Sequence, residues 1–156
     1  MMSNMREVVR RLMIALNNVD EAYCSDMSNI GVNESELWLM YALDDNEQHS
    51  QKQICDEWGF PKTTLNTAIK QAEAAGYLTM SLIPGKRREM NISLTEKGKV
   101  YAKKLLSSVY QAENEAMEKT LQSYSTDFIY AVEYFAANLK TAFQKQLKER
   151  EKTTDL

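Results

Sequence analysis

The sequence predicts a mainly α-helical fold carrying one small β-hairpin, an α+β arrangement within a single domain of 156 residues. Three observations predict it. Apolar residues recur every three or four positions over long stretches at both ends of the chain. The middle, QKQICDEWGFPKTTLNTAIKQAEAAGYLTMSLIPGKRREMNISLTEKG from Gln51 to Gly98, reads helix, turn, helix, strand, basic loop, strand, helix start. Only five Gly and two Pro interrupt the chain, and both prolines fall where an element should break.

Each element has its own signal. Met5, Val8, Val9, Leu12, Leu16, Val19 and Tyr23 form the stripe of a first helix over residues 3–26, and the polar run Ser25 to Val32 is expected to break it. Asn33 followed by Glu36 has the form of a capping box and opens a second helix, with Leu37, Met40 and Tyr41 facing inward. Ser50 and Gln53 repeat that pattern at the start of a third, short helix, which Gly59 stops. Pro61 is expected at the first position of a fourth helix, where its missing N–H is harmless, and Leu65, Ile69 and Ala72 make its buried stripe. Tyr77 to Ile83 and Glu89 to Leu94 read as two strands of a hairpin, closed by the turn Pro84-Gly85-Lys86-Arg87. Thr95 caps a long fifth helix that breaks at Ser123 to Thr126. Asp127 begins a last helix striped by Phe128, Val132, Phe135, Leu139, Phe143 and Leu147.

Composition narrows the function classes. No apolar run approaches the 18 or so residues of a membrane span, so no membrane partner is expected. The basic N-terminus lacks an apolar core and a cleavage site, and it reads as mature helix. Cys24 and Cys55 are the only cysteines, too few for a disulfide framework, which points to a reducing, cytoplasmic setting. The net charge is −3, but it is unevenly spread. From Ser50 to Val100 eight Lys/Arg outnumber five Asp/Glu, so that segment is +3 and the remainder −6. The basic part coincides with the helix-turn-helix and hairpin, which gives it a local electrostatic footprint for a polyanion.

That layout is a winged helix-turn-helix lobe, placed at residues 33–98. The helical stretches 1–30 and 99–150 flank it as a dimerisation lobe, because a small core cannot bury both terminal stripes and a two-fold homodimer can. In such a lobe the second helix lies in the major groove of double-stranded DNA. Here that helix is Pro61 to Ala75, and it offers Lys62, Thr63, Thr64, Asn66, Thr67 and Lys70 outward. Asn can pair with adenine, Lys can donate to guanine, and the threonines can meet phosphates or a thymine methyl. Lys86, Arg87 and Arg88 form a basic wing suited to phosphates or a narrow minor groove. Ser50, Lys52 and Gln53 are further candidates for backbone contacts.

The middle resembles the MarR family of bacterial transcription regulators. The helix-turn-helix from Gln53 to Gly76, its end Ala74-Ala75-Gly76-Tyr77-Leu78, the wing Arg88, and Leu94-Thr95-Glu96-Lys97-Gly98 carry the resemblance. Arg88 stands six residues before Leu94, the family spacing for the wing arginine. Two positions depart from the pattern: Lys86 stands where the family has an aspartate, and Ala72 where it has a leucine. The resemblance implies a DNA-binding regulator, a repressor that holds a palindromic operator as a homodimer and is released by a small-molecule effector. It also implies an effector site between the dimerisation helices and the reading lobe, for which Met13, Tyr23, Trp38, Met40 and Tyr41 are candidate walls. Core packing is the plainer account of those side chains.

Other classes have less behind them. A thiol redox sensor on the same fold would use Cys24, but Asp26 nearby opposes thiolate formation. A metal-responsive regulator would have only His49 as an imidazole ligand, with no Cys/His cluster, so no metal and no cofactor are expected. No Ser/His/Asp set and no phosphate-cradling Gly loop suggests an enzyme. A protein-interaction module that kept the fold and lost DNA binding is the remaining alternative.

Overall fold

The structure is a computed structural model that describes residues 2–86 and 89–154. Six helices and three short strands follow one another: α1 (Met2–Ile30), α2 (Glu34–Leu43), β1 (His49–Ser50), α3 (Gln51–Trp58), α4 (Lys62–Ala74), β2 (Leu78–Leu82), β3 (Met90–Leu94), α5 (Glu96–Leu121) and α6 (Asp127–Thr154). The chain divides into two compact units, Met1–Gln111 and Ala112–Leu156. Among the described residues no helix is long and apolar enough to cross a membrane.

The first unit holds the core. Leu37, Leu39, Met40 and Leu43 of α2 meet Ile54 of α3 and Leu65 and Ile69 of α4. Leu78, Ile92 and Leu106 close the cluster from β2, β3 and α5. The expected hairpin is present, with Leu78 opposite Leu94 and Leu82 opposite Met90. A third strand joins it. β1 pairs antiparallel with β3, placing His49 opposite Ile92, so the sheet order is β1-β3-β2. His49 is therefore a strand residue, and its Nε2 lies 2.8 Å from Asp45 Oδ2. A strand of two residues is too short to show a period.

Helix boundaries follow capping chemistry. Ser50 Oγ accepts from Gln53 N while Gln53 Oε1 accepts from Ser50 N, a complete capping box at α3. At α2 only half of the box forms: Asn33 Oδ1 accepts from Glu36 N at 2.8 Å. The Glu36 carboxylate instead accepts from the Tyr101 hydroxyl of α5 at 2.6 Å. Helix α1 runs on through the polar stretch expected to break it, and ends before Gly31. Ser25 Oγ donates to the Ala22 carbonyl, so this polar side chain is satisfied inside the helix and does not stop it. Pro61 sits one residue earlier than expected, as the N-cap of α4 with extended backbone.

The start of α5 locks onto the end of α4. Thr95 N donates to the Tyr77 carbonyl at 2.9 Å, and Thr95 Oγ1 donates to the Gly76 carbonyl at 2.7 Å. The same Oγ1 accepts from Gly98 N at 3.0 Å, capping α5. Lys97 Nζ donates to the Ala75 carbonyl, at the negative end of α4. Gly98 is buried, and a Cβ there would lie 1.8 Å from the Tyr77 carbonyl oxygen. No other residue fits that approach without moving the backbone. Tyr77 and Tyr101 then stack with ring centroids 4.1 Å apart.

In the second unit, α5 ends in a turn closed by bonds from Ser123 N and Tyr124 N to the Thr120 carbonyl. Ser125 Oγ donates to Asp127 Oδ2 as α6 begins. Phe128, Leu139, Phe143 and Leu147 of the α6 stripe are exposed in the single chain.

Two outcomes follow from these contacts. Gly98→Ala is expected to destabilise the protein by about 2 kcal/mol or more, the scale of overpacking against unyielding backbone. Urea unfolding followed by circular dichroism checks this, with the exposed Val100→Ala as control; equal midpoints for the two variants contradict it. Burial, then the hydrogen bond and charge of Glu36, push the Tyr101 phenol well above the usual 10.0. A raised folded-state value means that this contribution is complete below the unfolded value and lost as the pH rises above it. Wild type should therefore lose stability faster than Tyr101→Phe as the pH rises above about 10. Parallel losses in the two proteins remove the coupling.

Candidate nucleic-acid interface and adjoining cavity

Helix α4 presents two different faces because its apolar residues keep a helical spacing. Leu65, Ala68, Ile69 and Ala72 are buried, whereas Lys62, Thr63, Thr64, Thr67 and Lys70 are exposed. The left-handed Gly59 (φ 66°) ends α3 and turns the chain through Phe60 and Pro61 into α4. The first turn of α4 thus lies at the surface with its N–H groups uncapped by any side chain. Such a terminus carries partial positive charge, and Lys62 adds to it.

The remaining candidates have varied settings. Asn66 is half-buried, and its Oδ1 accepts from Gln51 Nε2 in a close contact that ties α3 to α4. The acceptor half of the amide that pairing with adenine would use is thus already engaged. Thr67 Oγ1 donates to the Thr63 carbonyl at 3.1 Å. Ser50 is buried and, with Gln53, makes up the α3 capping box; Lys52 is exposed. At the wing, Lys86 N donates to the Ile83 carbonyl, closing the turn. Lys86 Nζ pairs with Glu89 Oε2 at 2.7 Å. Arg87 and Arg88 lie outside the described residues.

A cavity of about 500 Å³ adjoins the start of α4. Asp20, Tyr23 and Cys24 of α1 line one side, and Glu34, Ser35 and Trp38 of α2 continue it. Trp58, Gly59, Phe60 and Pro61, the turn between α3 and α4, close it together with Thr64. Trp38 packs on Tyr23 at 5.0 Å and on Trp58 at 6.1 Å between ring centroids. Of the five side chains expected to wall an effector site, Tyr23 and Trp38 line the cavity. Tyr41 stands behind it, in ring contact with Trp38, Trp58 and Tyr110. Met40 is fully buried in the core and Met13 is exposed; neither lines the cavity. Sequence reasoning missed Trp58, Phe60, Asp20 and Glu34. The run Trp58-Gly59-Phe60-Pro61 held the available signal: two aromatics flanking a tight turn cannot both enter a core already filled by Ile54 and Leu65.

A helix-turn-helix followed by a two-stranded wing and backed by a third strand defines a winged-helix protein. Residues 30–89 match the model of the MarR family. The wider fold agrees. A MarR family regulator from Neisseria meningitidis matches at TM-score 0.69 and 19% identity, over 90% of this chain and 96% of that one. AbfR of Staphylococcus epidermidis matches at TM-score 0.68 and 16% identity, over 92% and 99%. NadR, in its complex with 4-hydroxyphenylacetate, matches at TM-score 0.60 and 16% identity, over 81% and 89%. At these identities the likeness establishes the fold. No curated protein matches the chain in sequence.

Proposed function

We propose that this protein is a DNA-binding transcriptional regulator, acting in the cytoplasm as a homodimeric repressor of a palindromic operator. The observation that carries the proposal is the exposed, cationic and hydroxyl-rich outer face of α4, opposite a face wholly committed to the core. Lys62, Thr63, Thr64 and Lys70 would enter the major groove, and Thr67 would follow one turn further on. Lys52 would meet the backbone, with Ser50 and Gln53 fixing the start of α3. Lys86 would reach phosphate from the wing together with Arg87 and Arg88, whose roles rest on the sequence alone. Asn66 would read a base only where Gln51 releases its carbonyl oxygen.

Dimerisation is supported by what the single chain leaves uncovered. Val8, Met13, Ile14 and Val19 on α1 are exposed, as are Tyr134, Phe143 and Leu147 on α6. A second copy is the simplest cover for stripes of this kind. Residues 1–30 and 99–150 would form that interface and hold two reading helices about 34 Å apart. Effector release is supported by the cavity, since one of its walls is the turn that sets α4. NadR supports this reading as a protein of the same fold described with a bound small molecule.

The test is titration against duplex from the protein's own upstream region. Affinity should fall by about three orders of magnitude between about 50 and about 200 mM salt. Lys62→Ala and Lys70→Ala should each lower the salt slope by about one per lysine removed, and Arg88→Ala should weaken binding. Absence of binding to this duplex and to random duplex alike contradicts the proposal and favours an interaction module. A monomer by sedimentation at micromolar concentration contradicts the dimer. Glu89→Gln, which frees Lys86, should strengthen binding to specific and random duplex by similar factors, because a wing lysine meets phosphates. Unequal factors would assign the wing to sequence choice.

A further inference from the structure

We infer that the cavity beside the reading helix selects an aromatic organic cation. The inference rests on the reading of this cavity as an effector site and specifies the chemical class that the site would take. Its volume, about 500 Å³, suits a small drug-sized molecule. Four aromatic rings, Tyr23, Trp38, Trp58 and Phe60, supply π-faces and apolar walls. Two carboxylates, Asp20 and Glu34, stand at the same cavity, and the described lining residues include no Lys, Arg or His. Among the described residues neither carboxylate has an ion-pair partner.

The charged side chains at the cavity are therefore all acidic, set against the partial positive charge of the α4 N-terminus at Pro61 and Thr64. Ring faces attract cations through their quadrupoles, most strongly at Trp, and the carboxylates add attraction of the same sense. An anionic aromatic would meet two like charges and, apart from the uncapped N–H groups that begin α4, no cationic side chain of the lining. A neutral aromatic would gain the apolar walls but leave the carboxylates unmatched. Glu34 has a second account, since an acid in the first turn of α2 complements the helix N-terminus. Asp20 has no such account. It lies within α1, away from either end, at an exposed position.

The site reports on itself. The chain has two tryptophans, and both line the cavity, so intrinsic emission reads occupancy without a label. The probes are tetraphenylphosphonium and tetraphenylborate, which share size and shape and differ in the sign of charge. Tetraphenylphosphonium should change the tryptophan emission of the full chain and bind at least roughly tenfold more tightly than tetraphenylborate. Asp20→Asn should weaken the cation several-fold without weakening the anion, and Glu34→Gln should do the same. Asp20 is exposed and makes no part of the core, so its variant tests charge with the fold intact. If tetraphenylborate binds equally or more tightly, the cation assignment is overturned while the effector-site reading stands. If neither probe alters emission or affinity for the upstream duplex, both readings fall together.

Discussion

The close approach of α5 to the Tyr77 carbonyl is the constraint on which the rest of the first unit depends. A backbone oxygen sits where any side chain at residue 98 would begin. That contact is possible only because Thr95 has already turned the chain, donating from its N–H to Tyr77 and from its hydroxyl to Gly76. Together these groups join the end of α4, the start of β2, the end of β3 and the first turn of α5. The orientation of α4 relative to the wing follows, because both leave from the same few residues. The Tyr77–Tyr101 stack and the bond from Tyr101 to Glu36 then carry the constraint across to α2, whose Leu37 and Met40 anchor the core.

With α4 held in this way, its chemistry is a matter of which residues face away. Burying Leu65, Ala68, Ile69 and Ala72 leaves two lysines and three threonines exposed. Among the described residues, α4 contributes Lys62 and Lys70 to the charge excess of the middle segment and the hairpin tip contributes Lys86. Part of it is neutralised locally. Glu89 pairs with Lys86 across the turn. An exposed pair of this kind contributes little to stability, so under the proposed function Lys86 would be free to exchange it for a phosphate.

Legibility in the sequence tracked the range of the forces involved. The α4 stripe, the hairpin and the Ser50–Gln53 capping box depend on neighbours a few residues apart, and all could be read directly. The second capping box could be read only in half, because the Glu36 carboxylate turns to a partner 65 positions away. Similarly, no local pattern announces that Gln51 engages Asn66 or that α1 persists through Ser25. Gly98 was visible as part of a motif, but its reason, the oxygen of Tyr77, is a tertiary fact. In the cavity, Tyr23 and Trp38 were identified from their type, whereas Met40 and Met13 have the same apolar chemistry and lie elsewhere. Type alone does not separate a wall from a core; the fold of the Gly59 turn does, by bringing Trp58 and Phe60 to face α1 and α2.

That turn also explains how the cavity and the reading helix could communicate without a long pathway. Gly59, Phe60 and Pro61 are at once a wall of the cavity and the chain connection between α3 and α4, and Thr64 lies in the first turn of α4. A ligand seated against these residues needs no chain of side chains to reach α4, because it touches that helix. What it can achieve is set by its differential affinity for the two poses of the turn: a tenfold preference shifts their balance by about 1.4 kcal/mol, and equal affinity shifts nothing. The core limits those poses. Leu65 is fully buried four residues after Pro61, so α4 can tilt at its N-terminus but cannot slide. A tilt displaces Lys62 and Thr63 most and Lys70 least. Under the proposed function, the end of α4 that would move most is thus the end that adjoins the cavity, through Pro61 and Thr64.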